Sequence, residues 1–170
     1  IKQMQATPDS TTIRALDVLL DRVFHRIYAG LEVDMEGLKR LRELSHQGGA
    51  IVLLPSHKSH VDYLVLSFIM FENNMPLPTI AAGDNLSFFP LGPVLRRAGA
   101  FFIRRSFKGD KLYAVAVEAY VRRLLREGHT LELFLEGGRS RTGKLLEPKF
   151  GLLGMIVDAA LTLTTDKPVQ

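Results

Sequence analysis

Apolar positions at Ile13, Leu16, Leu20, Val23, Phe24 and Ile27 recur at helical spacing with Asp17, Asp21 and Arg22 between them. This predicts an amphipathic helix over 10–29, behind a frayed leader of residues 1–9. A second helix is expected over 34–46, closed by Gly48 and Gly49. From residue 50 onward the pattern alternates. Short apolar runs at 50–54, 79–82, 100–104 and 131–135 read as strands, and longer apolar or amphipathic stretches at 61–71, 111–127 and 150–161 read as helices. Such alternation predicts an α/β fold, a mostly parallel sheet covered by helices and preceded by an N-terminal helical segment. Residues 1–47 would form that segment, packed on the core, and residues 48–170 the α/β core itself. In sheets of this kind, functional groups gather on the loops that follow the carboxyl ends of strands.

Composition narrows the class. A chain of 170 residues, 46% hydrophobic and 24% charged, suits one globular domain and excludes a disordered one. Absence of cysteine removes disulfides, thiolate metal sites and a Cys nucleophile. No apolar run approaches the roughly 18 residues that span a bilayer, and no signal-peptide pattern is present, so a soluble or membrane-peripheral protein is expected. The net charge of +4 hides an asymmetry: residues 96–149 hold 13 Lys and Arg against 6 Asp and Glu. Those cations sit in short Gly-bounded loops between apolar strands, without the interleaved aromatics of a single-strand nucleic-acid binder. A small phosphorylated ligand suits them better, and no nucleic-acid partner is expected.

Three motifs carry candidate chemistry. In PSHKSHVDYL, His57 and Asp62 are five apart, which on a regular helix would set them about 140° apart. One of them therefore lies off the helix. We place His57 in the turn after a strand, Ser59 as an N-cap, and Asp62 in the first helical turn, from which it can reach back to one imidazole nitrogen and leave the other as a base. Taken alone, such a pair is an ordinary capping contact; the downstream motifs raise its interest. GAFFIRRSF ends an apolar strand with Arg104 and Arg105, of which alternation sends only one into a site, with Lys108 and Lys111 beyond. Arginine suits phosphate because its planar fork can grip two oxygens at once. FLEGGRSRTGK is more specific: its glycines allow close backbone approach, and Arg139 and Arg141 can converge on one anion. Within it Glu136 either pairs with an arginine to shape the loop or bonds a substrate hydroxyl. His60 invites a metal reading, but no third ligand follows at suitable spacing, so no metal is expected.

With these residues in view, the sequence is recognisable. HKSHVDY resembles the His-x4-Asp signature of the glycerolipid acyltransferases, GAFFIRR their second block and FLEGGRSRTGK their third. The glycerol-3-phosphate acyltransferase branch is similar also over IAAGDNLSFFPLGPVLRRAGAFFIRRSFKGDKLY, and the dihydroxyacetone-phosphate acyltransferases have similar blocks, with EPKFGLL compatible with them too. The resemblance runs from about residue 32 to 165. It implies His57 as catalytic base with Asp62 as its partner, and substrate-binding or architectural roles for Arg104, Glu136, Gly137, Arg139 and Arg141. The family's fourth block, a Pro-bearing apolar strand, is expected just beyond Pro168 and Val169, so the core is read as stopping short of it.

The activity so implied is transfer of a fatty acyl group from acyl-CoA or acyl carrier protein to the sn-1 hydroxyl of glycerol 3-phosphate, giving lysophosphatidic acid. No cofactor is called for, since a thioester is already activated. No acyl-enzyme is expected either, because no Ser or Cys occupies a G-x-S-x-G elbow. A lipid product implies a peripheral membrane location, on the cytoplasmic face of the inner membrane in a bacterium. The alternatives are a dihydroxyacetone-phosphate acyltransferase, a non-catalytic anion or phospholipid-binding module that has no need of His57 with Asp62, and a phosphohydrolase. The last lacks an obvious carboxylate cluster for metal ions.

Overall fold

The structure is a computed structural model and describes all residues except 1–3, 60, 105, 107, 108 and 165–168. Four strands, β1 (Val52–Leu53), β2 (Thr79–Gly83), β3 (Ala100–Ile103) and β4 (Leu131–Glu132), form one parallel sheet in the order β1-β4-β2-β3. The helices are α1 (Ser10–Ile27), α2 (Met35–His46), α3 (Asp62–Glu72), α4 (Leu91–Arg97), α5 (Lys111–Arg126) and α6 (Phe150–Thr162), with a 3-10 turn at Asp84–Leu86. The α/β architecture expected from the alternation is present, and every pairing among the described strands is parallel.

Caps set several boundaries. Asp9 accepts from the Thr12 backbone N–H at 2.8 Å and starts α1, Asp34 accepts from Gly37 at 2.9 Å and starts α2, and Asp110 accepts from Tyr113 at 2.9 Å and starts α5. Each satisfies a donor that the first helical turn would leave orphaned. At α3 the expectation fails: the cap position is Val61, not Ser59, and Ser59 Oγ instead accepts from the Val61 N–H at 3.2 Å. The strands at 50–54 and 131–135 shrink to two residues each, although Leu133 N still donates to Leu53 O at 3.1 Å. Helix α4 was not anticipated because Pro90 and Pro93 look like breakers. Both lie at its start, where the missing N–H groups have no helical partner to lose.

The leader is also corrected, for residues 4–9. Phe102 N donates to Met4 O at 2.9 Å at the free edge of β3, Ala6 N donates to the Tyr120 hydroxyl at 3.1 Å, and Asp9 N donates to Arg97 O at 2.9 Å. Met4 and Ala6 are buried in the main core. Their side chains offset the entropy of ordering the segment.

The sheet separates two environments. On one face Phe101, Leu131 and Leu133 pack with Val117, Val121 and Leu124 of α5 and Ile156 and Ala159 of α6 in a continuous apolar layer. On the other face, Leu53 joins Leu38 of α2 and Met70 of α3, and Ala100 and Phe102 join Leu95 of α4. Helix α1 lies on this second side, where Phe24 meets Phe68 of α3 edge to face at 5.3 Å.

Candidate active site

The loop after β1 carries His57, and almost everything that holds it comes from the segment 134–140. The His57 backbone N–H donates to Glu136 Oε1 at 2.9 Å, and its carbonyl accepts from the Ser140 N–H at 2.8 Å. Its ring lies on Phe134 with centroids 4.1 Å apart. The first and third sequence motifs are therefore one structural unit.

Asp62, the first residue of α3, completes the support. Its Oδ2 accepts from the Lys58 and Ser59 N–H groups at 2.7 Å each and lies 3.2 Å from His57 Nδ1. A carboxylate only accepts, so Nδ1 donates in this contact, and in the neutral ring Nε2 is then the nitrogen with the lone pair. Among the described residues Nε2 has no hydrogen-bond partner. The arrangement can accept a proton from a hydroxyl placed at Nε2.

Among the described residues Glu136 pairs with no arginine. Besides the His57 N–H, it accepts from Leu146 N–H at 3.0 Å through Oε2, and so ties the two ends of the basic loop to the histidine. These two backbone hydrogen bonds, assisted by the nearby His57 and Lys58, hold its carboxyl below the usual range. Gly137 follows with φ of 59°, a left-handed turn in which a Cβ would stand 2.8 Å from Lys149 Cδ. A side chain here would be strained and crowded.

A cavity of about 970 Å³ opens beside His57. Arg104, Gly137, Arg139 and Arg141 all line it, so loops after three different strands converge there. The cations differ in freedom. Arg104 donates to Asp110 at 2.8 Å and its guanidinium lies 4.4 Å from the Tyr113 ring centroid, which leaves only part of its fork for a ligand. Arg105, Lys108 and His60 lie outside the described residues. Lys149, which the motifs did not single out, also lines the cavity and adds a cation opposite Gly137. Away from these cations the walls are mostly apolar, including Ile13, Leu16 and Leu20 of α1, Phe68 of α3 and Val94 of α4, with Asp17, Ser67 and Asn85 among them.

Two acids were missed as parts of this region. Asp17, expected on the polar side of α1, lines the cavity with a buried, unpartnered Oδ1, and burial followed by the neighbouring Asp21 raises its carboxyl above the usual range. Glu132 of β4 is only 1% exposed, and neither carboxyl oxygen has a hydrogen-bond partner among the described residues. Burial, reinforced by the Asp62 charge, pushes it up to about 8. A charged residue inside the apolar run LELFL, at even spacing from Phe134 and Glu136, is the signal that could have found it. Among the described residues no group of three His, Asp or Glu is placed to hold a metal ion.

A histidine held by a carboxylate in a cleft lined by arginines and apolar side chains is an arrangement that can hold an amphiphilic anion and take a proton from it. The chain belongs to the Acyltransferase family, whose model matches residues 32–169. Among solved structures it is similar to the 1-acyl-sn-glycerophosphate (LPA) acyltransferase PlsC of Thermotoga maritima, at 20% identity over 93% of this chain with a TM-score of 0.47. The chain spans 65% of the length of that protein.

Proposed function

We propose that the protein transfers a fatty acyl group from an acyl thioester to the sn-1 hydroxyl of glycerol 3-phosphate at a membrane surface, yielding lysophosphatidic acid for phospholipid synthesis. The observation that carries this reading is a single cavity shared by His57, Arg139, Arg141 and a long apolar wall. A base alone suits many reactions. A base between a cationic end and a chamber large enough for an alkyl chain suits a phosphorylated alcohol and a fatty acyl donor. Exposed Phe88 and Phe89 beside the cavity suit the lipid surface into which the product is delivered.

In the mechanism, His57 Nε2 takes the hydroxyl proton as the oxygen attacks the thioester carbonyl. The C–S bond breaks as the tetrahedral intermediate collapses, and the imidazolium returns its proton to the leaving thiolate. Asp62 holds the ring and balances the transient positive charge. Arg139 and Arg141, with what remains of the Arg104 fork, bind the phosphate and so place the far hydroxyl near the base, where orientation contributes several kcal/mol of the barrier reduction.

The acceptor is tested by acyl transfer with the full-length protein, with and without phospholipid vesicles. Glycerol 3-phosphate, dihydroxyacetone phosphate and 1-acylglycerol 3-phosphate are offered in parallel, each with coenzyme A and acyl carrier protein thioesters. Glycerol 3-phosphate is expected to give the highest kcat/KM. Preference for either other acceptor overturns the assignment of substrate, and no transfer to any of them overturns the assignment of activity.

A further inference from the structure

Strand β4 and its extension alternate between the two faces of the sheet. Leu131 and Leu133 enter the apolar layer under α5 and α6, and Leu135 packs against it. The residues between them point the other way. Phe134 carries the His57 ring and Glu136 holds the His57 backbone. Glu132 is the third member of this same-face series. It sits on a central strand, opposite Leu53 of β1 and Ile80 of β2 in register, and no solvent reaches it.

A carboxyl group in that position is unfavourable for folding. Both neighbours across the sheet are aliphatic, and both of its oxygens are buried without a partner among the described residues. Leucine or methionine would fill the same space at no desolvation penalty. Geometry indicates what it faces: Leu53, its cross-strand neighbour on the same face, packs in one cluster with Leu66 and Met70 of α3, the helix that Asp62 opens. All three hydrogen bonds that Asp62 accepts from described residues arrive at Oδ2.

We propose that Glu132 is a positioning residue for the His57–Asp62 pair, a polar group beneath the start of α3 that supports the Asp62 carboxylate from the sheet side. This rests on the acyl-transfer reading only for its kinetic consequences; the structural consequence stands apart from it. With the acid neutral, Asp62 has a polar neighbour that supports its charge and keeps Oδ2 turned toward Nδ1. Against an aliphatic floor the carboxylate would be poorly solvated on one side, and it would turn outward to water, away from the ring. Burial favours the neutral form of Glu132. Glu132 of β4, Phe134 just beyond it and Glu136 in the turn that follows then support, in order, the partner, the ring and the backbone of the histidine.

The test compares Glu132→Gln and Glu132→Leu in the full-length protein at pH 7. Gln keeps an uncharged donor of the same length, whereas Leu keeps only the volume. For Gln, kcat is expected within about threefold of the wild type. For Leu it should fall about 10- to 100-fold, with KM for glycerol 3-phosphate within about twofold and thermal stability equal or higher. Nitrogen-15 NMR of His57 supplies a readout that needs no substrate: wild type and Gln should share the Nδ1-protonated tautomer, and Leu should lose it. Wild-type kcat and an unchanged His57 spectrum in the Leu variant overturn the proposal, as does a Gln variant impaired as much as Leu. Absence of transfer by the wild type sinks the activity assignment alone, because the tautomer comparison still decides the role of Glu132.

Discussion

The two faces of β4 and its extension are put to opposite uses. Leu131, Leu133 and Leu135 belong to the layer beneath α5 and α6, where Val117 and Val121 are fully buried. Glu132, Phe134 and Glu136, interleaved with them, meet His57 or the charge of Asp62. One face supplies rigidity, and the other spends some of it on a buried acid. Because both hang from the same backbone, the reactive groups inherit the precision of the core without being part of it. Substitutions on the two faces should accordingly separate, one set acting on stability and the other on turnover.

The widest separation is expected at His57. His57→Ala should lower kcat/KM by about three orders of magnitude, the range of general base catalysis, while leaving the melting temperature near the wild-type value. Steady-state acyl transfer and thermal unfolding check it together, and near-full activity would remove His57 from the chemistry. On the opposite face, Leu131→Ala should destabilise the protein by about 2–5 kcal/mol through the lost apolar burial and the cavity left behind. Denaturant unfolding measures this, and kcat of the folded fraction should hold; a large fall in kcat would show that the faces are coupled.

The pH dependence of stability sharpens the contrast next. Burial raises the Glu132 carboxyl from its ordinary value of 4.5 to about 8 in the folded chain, so between those values the unfolded state is ionised and the folded state is not. Its effect on stability is most favourable below pH 4.5 and is lost as pH rises toward 8, at up to about 1.4 kcal/mol per pH unit. Glu132→Gln cannot ionise. The stability of Gln relative to wild type should therefore rise from pH 5 to pH 8 in urea titrations, and a constant difference would show that Glu132 ionises normally. The smallest effect is expected at the cationic end: Arg139→Ala should raise KM for the phosphorylated acceptor about tenfold with little change in kcat. An unchanged KM would take Arg139 out of the phosphate clamp.

How far the sequence could be read varies from residue to residue. The five-residue spacing of His57 and Asp62 demanded a loop-to-helix junction, and the 3.2 Å contact lies there. Ser59 looked like the cap of α3, but Asp62 itself receives the turn's free N–H groups, a choice that depends on where the chain enters the helix. Glu136 beside three cations suggested an ion pair. Its partners are instead the N–H groups of His57, 79 residues away, and Leu146, which no local pattern reveals. Helix α4 was concealed by its prolines, and Met4 and Ala6 by their short segment, whose order depends on the edge of β3 and on Tyr120.

By itself, the order of residues determined the alternation of strands and helices, the strands' burial and the identity of the groups able to move a proton or grip an anion. Periodicity, turn chemistry and side-chain type are local properties, legible within a few residues. Tertiary structure alone decided that the His57 loop and the 134–140 segment close on each other, that Lys149 joins the arginines, and that Glu132 lies buried within the field of Asp62. Those outcomes depend on β1 and β4 being neighbours in the sheet although far apart in the chain, and long-range pairing is chosen by the packing of the whole fold.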